Sequence, residues 1–243
     1  MKPTFAIVVA FALAATTFND AIAQNRVDFS ASQSELTGSM SDWIEITMAL
    51  SQIEEQQNFT LLFEQSRRFG QSDLYGEMRY GARVERADAY IAIGGAPDAD
   101  FRPELAIKAG LAWPVAAPRR WLFDSEISLY TEGVVKVVRA GVEQDFSWRE
   151  TTVQVRAIAV EDDGVYAGFT TSAEMRLAPG CRWRVGYTDA PEVWRGTVLR
   201  VKSFNTAALI ELGDRFSIRI DAATEDRGAY NRHTISLGGA WRF

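Results

Sequence analysis

The chain has 243 residues, 26 Lys and Arg against 32 Asp and Glu, a formal net charge of −6, one histidine and one cysteine. An acidic balance gives nucleic acid no electrostatic footprint, and the lone His233 and Cys181 leave neither a zinc ligand set nor an intrachain disulfide. The 47% hydrophobic content is what a soluble protein would show, but it is also what strands with one lipid-facing and one wet face average to.

The first residues read as an address. Met1 and Lys2 supply a positive start, Phe5 to Ala15 an apolar core, and Ala21-Ile22-Ala23 a small-x-small cleavage site before Gln24. This predicts a Sec-type signal peptide over 1–23 and a mature domain over 24–243. The residue directly after the cleavage site is Gln24 and not a cysteine, so a lipoprotein anchor is not expected, and no later apolar run is long enough to span a membrane as a helix. A mature chain of about 220 residues is consistent with one all-β domain.

From Val27 the sequence breaks into short segments with a period of two. In 42–50, Ile44, Ile46, Met48 and Leu50 oppose Glu45 and Thr47. In 74–84, Leu74, Met78, Tyr80 and Val84 oppose Glu77, Arg79 and Arg83, and in 104–113 Leu105, Ile107 and Leu111 oppose Lys108. The second half repeats the pattern. Trp121, Phe123, Ile127 and Leu129 oppose Asp124 and Glu126; Val153 and Val155 oppose Gln154 and Arg156; Phe169 and Met175 oppose Glu174 and Arg176; Trp183 and Val185 oppose Arg184; Ile218 and Ile220 oppose Arg219. In these segments the charge is concentrated on the face opposite the apolar one.

The segments predict strands near 27–37, 42–53, 58–68, 74–84, 88–94, 104–113, 121–130, 134–145, 148–160, 165–177, 181–189, 194–212, 215–224 and 231–243. That is a transmembrane antiparallel up-and-down β-barrel of about 14 strands, with 12 as the alternative, since bacterial barrels have even strand numbers. The piece 27–37 is the weakest candidate for a place in the wall. Within 194–212 the apolar parity switches from Leu199 and Val201 to Ala208, Ile210 and Leu212, which predicts a bulge near Phe204–Thr206.

The last segment carries the sharpest local signal. Ile235, Leu237, Gly239, Trp241 and Phe243 share one face, and Ser236, Gly238, Trp241 and Phe243 match the polar-x-Gly-x-x-hydrophobic-x-aromatic ending that outer-membrane barrels present to their assembly machinery. The expected partners are therefore that machinery, outer-membrane lipid and lipopolysaccharide. With both termini in the periplasm, the connections 38–41, 69–73, 95–103, 131–133, 161–164, 190–193 and 225–230 face outside. They collect Asp73, Asp98, Asp100, Asp162, Glu192 and Glu225, whereas the opposite rim collects Arg86, Arg119, Arg120, Arg149, Arg182, Arg215 and Arg242. None of these connections is long enough to be an obvious inward-folding constriction, so closure is expected from side chains alone.

The inward faces define the candidate binding residues. The first half contributes Glu45, Glu64, Glu77, Arg79, Arg83, Lys108 and Glu126. The second half contributes Arg139, Glu143, Arg156, Glu174, Arg176 and Arg184, followed by Arg200, Lys202, Arg219, Asp221 and Arg232. Both signs in similar number suit either a polar path that hydrogen-bonds sugar hydroxyls or a lumen closed by cross-pairing. No metal-ligand cluster, phosphate loop or nucleophile elbow is present, and no cofactor is expected. His233 lies ~25 Å from the terminal end at a strand rise of ~3.3 Å and a tilt near 40°, facing lipid. The position two residues on along its face is Ile235 rather than a serine, so a histidine-activated nucleophile is missing and no enzyme is expected.

Several segments together resemble the YaiO-type outer-membrane β-barrel family: Asp42-Trp43, the run Ser66 to Gly70 followed by Asp73 and Tyr75, the pair Tyr130 to Val142 with Glu143, the run Cys181 to Asp189, and the ending. The resemblance implies an integral barrel linked to exopolysaccharide or other cell-envelope systems and carries no reaction onto particular residues. Together the readings predict a channel or translocation barrel for saccharide or small polar solutes, with a closed scaffold barrel as the alternative and an outer-membrane lipid-modifying enzyme as a third, less favoured reading.

Overall fold

A computed structural model describes residues 24–37, 42–194 and 197–243, with the side chains of 193–197 left aside. The expected signal peptide, the 38–41 connection and the 195–196 tip lie outside the described residues. The wall is built from β1 (Gln24–Leu36), β2 (Trp43–Ile53), β3 (Gln57–Arg68), β4 (Gln71–Val84), β5 (Ala87–Gly95), β6 (Leu105–Ala116) and β7 (Arg119–Tyr130). It continues through β8 (Gly133–Phe146), β9 (Thr151–Glu161), β10 (Val165–Ala178), β11 (Cys181–Trp194), β12 (Thr197–Glu211), β13 (Phe216–Asp226) and β14 (Asn231–Arg242). Each strand pairs antiparallel with its sequence neighbours, and β1 pairs with β14 to close the barrel.

That closure settles the place of the first segment. β1 runs in register from Arg26 opposite Arg242 to Leu36 opposite Arg232. At its edge Asn25 donates to the Phe243 carbonyl at 3.0 Å, and Phe243 donates back at 2.9 Å. The N-terminal segment is a stave of the wall and not an appendage, because without it β2 and β14 would each present an unpaired edge to hydrocarbon.

The alternation sorts the side chains as the physics of a spanning strand requires. Ile46, Ile91, Val138, Val155, Ile235 and Leu237 are all more than half exposed on the outside. Apolar side chains left uncovered around a whole closed wall are stable only against lipid.

One strand departs from the expected sorting. β12 stays in continuous register with β11 from Trp194 opposite Thr197 to Cys181 opposite Ile210, and with β13 from Lys202 to Glu211, so there is no bulge at Phe204–Thr206. Leu199 and Val201 therefore share the inward face with Ser203 and Asn205, while Arg200 and Lys202 point outward. Arg200 pairs outside the wall with Asp189 and donates to the Ala167 carbonyl at 2.9 Å. Nor is 190–193 a loop, since it belongs to β11.

The turns at the rim away from the termini are tight where the chain reverses directly. Arg68 pairs with Gln71, and the two intervening residues, Phe69 and Gly70, both have positive φ, 51° and 82°. Gly70 suits that conformation without penalty. Phe69 is held in it by its edge-on packing against Trp43, ring centroids 5.4 Å apart.

The sidedness has a direct check. Leu237→Arg, which places a guanidinium on the lipid face in mid-strand, should lower the unfolding free energy in vesicles by about 2–4 kcal/mol. Ser236→Arg, one residue away and facing the lumen, should change it much less. Urea titrations of the two variants in the same vesicles make the comparison.

Candidate functional site

The lumen is lined by side chains that the alternation throws inward, and they bond to one another across strands. In mid-wall the Glu77 carboxylate, almost fully covered, accepts from Lys108 Nζ at 2.7 Å, Tyr75 Oη at 3.0 Å and Arg79 Nη2 at 3.1 Å. Arg79 lies over the Tyr90 ring at 4.7 Å, and Tyr90 Oη donates to Asp124 at 3.1 Å. Asp124 also accepts from Arg156 Nη1 at 2.5 Å. The network runs from β4 to β9 through residues far apart in sequence.

Gly110 makes part of this possible. A Cβ built there would stand 2.1 Å from the Tyr90 ring and 2.8 Å from Asp124 Oδ1. The bare backbone is the space in which the tyrosine crosses β6 to reach β7.

Toward the rim that bears the termini the pairs are more open to solvent. Arg182 donates to Glu174 at 3.1 Å, Arg176 meets Glu150 at 2.5 Å, and Arg219 holds Asp221 at 2.8 and 2.9 Å. Arg83 donates to Asp88 at 3.0 Å, and Glu143, the buried exception, is gripped by Arg120 and Gln154. Here β1, β2, β12, β13 and β14 enclose a chamber of about 550 Å³. Ser30, Ser32, Thr47, Thr234 and Ser236 give it a wall of hydroxyl groups.

At the opposite rim a lid reaches into the lumen. Nine residues connect β5 to β6, and they fold inward because Asp73 accepts from three successive backbone N–H groups, those of Asp100 (2.9 Å), Phe101 (2.9 Å) and Arg102 (2.7 Å). The side chain of Arg102 then reaches across to β2 and β3, donating to Glu45 at 3.0 Å and Ser66 at 3.3 Å and pairing with Glu64. This corrects the expectation that no connection turns inward.

The second half of the lid is built around Trp43, which is 5% exposed. The guanidinium groups of Arg68, Arg232 and Arg227 lie 4.5, 4.6 and 5.2 Å from its ring centre. Arg227 donates to both Glu192 oxygens, at 3.2 and 2.7 Å, and to Glu225 at 2.9 Å, while Arg232 takes the other Glu225 oxygen. Burial lowers the affinity of Arg227 for its proton, but the Glu192 and Glu225 carboxylates more than offset this and hold its pKa above the ordinary arginine value. Four guanidinium groups, Arg68, Arg102, Arg227 and Arg232, thus meet four carboxylates, Glu45, Glu64, Glu192 and Glu225.

The inward face carries the candidate residues Glu45, Glu64, Glu77, Arg79, Arg83, Lys108, Glu126 and Arg139, and likewise Glu143, Arg156, Glu174, Arg176, Arg184, Arg219, Asp221 and Arg232. Arg200 and Lys202 are excluded from it by the unbroken register of β12. Three acidic residues expected on the exposed rim, Asp73, Glu192 and Glu225, are turned inward into the lid. The alternation had missed Arg68, Arg102 and Arg227. An Arg102 in a connection and an Arg227 in a turn carry no period to read, whereas Arg68 shares its parity with Glu64 and Ser66 at the end of β3 and was legible from it. His233 stands on the outer wall with Nδ1 3.1 Å from Thr224 Oγ1 of the paired strand.

No family model and no curated protein matches the sequence. Among solved structures, the barrel is similar to the CymD monoaromatic hydrocarbon channel, with a TM-score of 0.59 at 8% identity over 93% of this chain and 89% of that chain. It is similar to the Acinetobacter baumannii outer membrane protein Omp33, with a TM-score of 0.58 at 8% identity over 90% and 98%. A third is a bacterial polysaccharide outer membrane secretin, with a TM-score of 0.57 at 10% identity over 91% and 98%. At such identities the likeness is one of fold: an outer-membrane-type β-barrel.

The lid's anchor is open to test. Asp73→Ala leaves three backbone donors without their acceptor, at about 1–3 kcal/mol for a buried group. Amide exchange at Phe101 and Arg102 should rise by roughly tenfold or more, the equivalent of ~1.4 kcal/mol, and chymotrypsin should begin to cut after Phe101. Glu174→Gln, far from the lid, should change neither.

Proposed function

We propose that the chain is an integral barrel of the bacterial outer membrane, with both termini in the periplasm, that passes small polar solutes, saccharides among them, through a gated lumen. The observation that carries this is the combination of a hydroxyl-walled chamber of about 550 Å³ toward the termini with a lid of ion pairs at the other mouth. Hydroxyls with guanidinium and carboxylate groups beside them hydrogen-bond a hydrated sugar without a deep apolar cleft. The YaiO-type resemblance supports the same setting in the cell envelope. So does the ending Ser236, Gly238, Trp241 and Phe243, read as the signal to the assembly machinery in a wall bounded by lipid and lipopolysaccharide.

A closed scaffold barrel is the second reading. It is favoured by the mutual pairing of Arg68, Arg102, Arg227 and Arg232 with Glu45, Glu64, Glu192 and Glu225, which neutralises most of the lid charge that could draw a solute in.

Planar-bilayer recording separates the two. The protein should show small openings that maltooligosaccharides block. Arg102→Ala should raise the conductance severalfold and shift it toward cations, because Glu45 and Glu64 lose their shared partner. Silence in both proteins, with heat-modifiable migration intact, would favour the scaffold.

A further inference from the structure

The apolar belt on the outside of the wall is not equally tall all round. Its lower edge lies at the rim that bears the termini, where Val84, Val115, Leu177, Phe216 and Phe243 each stand beside a turn or the chain end. From there the outward residues stay apolar up to Leu74 on β4 and up to Leu105 on β6. On β10 they do so up to Val165, with Thr171 as the one hydroxyl. At ~3.3 Å per residue and a tilt near 40°, the belt on these strands is ~25–30 Å tall.

On the other side the belt stops early. Lys202 stands above Phe204 on β12, Thr224 above Ala222 on β13, and His233 above Ile235 on β14. By the same measure the belt there is only ~15–20 Å tall. The register joins the polar residues above it into one row that takes in Asp226 and Glu35: Lys202 is opposite Asp226, Thr224 opposite His233, and His233 opposite Glu35. All of them are exposed. Lys202, Asp226 and Glu35 form no ion pair among the described residues.

We infer that the leaflet at the lid rim thins against β12, β13, β14 and β1, so that the headgroups of the surrounding lipid meet this row about 5–10 Å nearer the mid-plane than they meet β4 and β6. The inference rests on the reading of the chain as an integral barrel. A charge on the outer face is cheap only near the bilayer surface, and a spanning surface shorter than the hydrocarbon is met by thinning the bilayer. Lipid headgroups carry charges and hydrogen-bonding groups of both signs, so a row of mixed charge suits them without a net charge of its own. Tilting the whole barrel does not serve instead, because it would draw Asp214, Arg215 and Arg242, at the lower edge of the same sector, into hydrocarbon. Nor does a second copy fit. The row spans ~15 Å at ~4.8 Å per strand and is two residues high, far short of the ~800 Å² that each partner of a stable interface buries.

The test compares matched positions on the two sides, in the mature chain folded into phosphatidylcholine vesicles. His233 and Leu105 stand equally far along their strands from Phe243 and Val115 at the lower edge. Nitroxide labels on His233→Cys and Leu105→Cys, each with Cys181→Ser, should read different depths by oxygen and nickel accessibility, Leu105→Cys lying several Å deeper. Labels on Phe216→Cys and Val115→Cys at the lower edge should read the same depth. Equal depth at 233 and 105, a deeper 233, or unequal depth at the lower edge, which would mean tilt, overturns the inference. A label on Leu111→Cys in mid-wall that reads water would instead overturn the integral reading itself. Arginine substitutions decide independently should a labelled variant not fold. Ile107→Arg should lower the folding equilibrium constant by about tenfold or more, whereas Ile235→Arg, at the matched position beneath the polar row, should lower it by about threefold or less. Equal losses for the two would overturn the inference.

Discussion

In hydrocarbon a backbone N–H or C=O without a partner costs several kcal/mol, and a sheet edge is a row of such groups, so a spanning sheet must close. The pairing of β1 with β14, from Arg26 opposite Arg242 to Leu36 opposite Arg232, meets that demand. Everything else in the molecule follows from it. Closure fixes which face of each strand is inside, and with fourteen strands it sets a circumference too wide for apolar side chains simply to fill, so the interior must find other ways to satisfy itself.

The interior does so by pairing charges across strands. A lone guanidinium in a partly dehydrated lumen is costly, whereas one held between carboxylates is not. Glu77 with its three donors, and Asp124 between Tyr90 and Arg156, are local solutions to the same problem. The lid is the most developed of them. Its two halves are tied by different means: a carboxylate, Asp73, collects the backbone of one connection, and an indole, Trp43, is surrounded by three guanidinium groups that carboxylates hold in place.

Such an arrangement makes the two ends of the lumen differ. Near the termini most of the pairs are exposed, Glu143 being buried, and the wall between them is hydroxyl-bearing, while under the lid the lining turns aliphatic. The lumen is thus graded along its length rather than uniform.

The sequence by itself determined the all-β barrel wall and the side on which nearly every residue falls, and it put the staves at about fourteen with twelve left open until the pairing of β1 settled the count. A period of two in a chain with a lipid-facing side leaves little freedom, and fourteen segments could be counted from it. It misled at Leu199 and Val201, because apolar residues were read as lipid-facing when they pack inward beneath the lid, leaving Arg200 outside to meet Asp189. It was silent on the lid. Arg102 and Arg227 lie in connections, where no period exists, Arg68 shares the parity of Glu64 and Ser66 but nothing in it named its partners, and Asp73 was indistinguishable from a solvated loop carboxylate. Only the tertiary structure decided that these residues converge, since their partners come from strands brought together by barrel closure and not by sequence spacing.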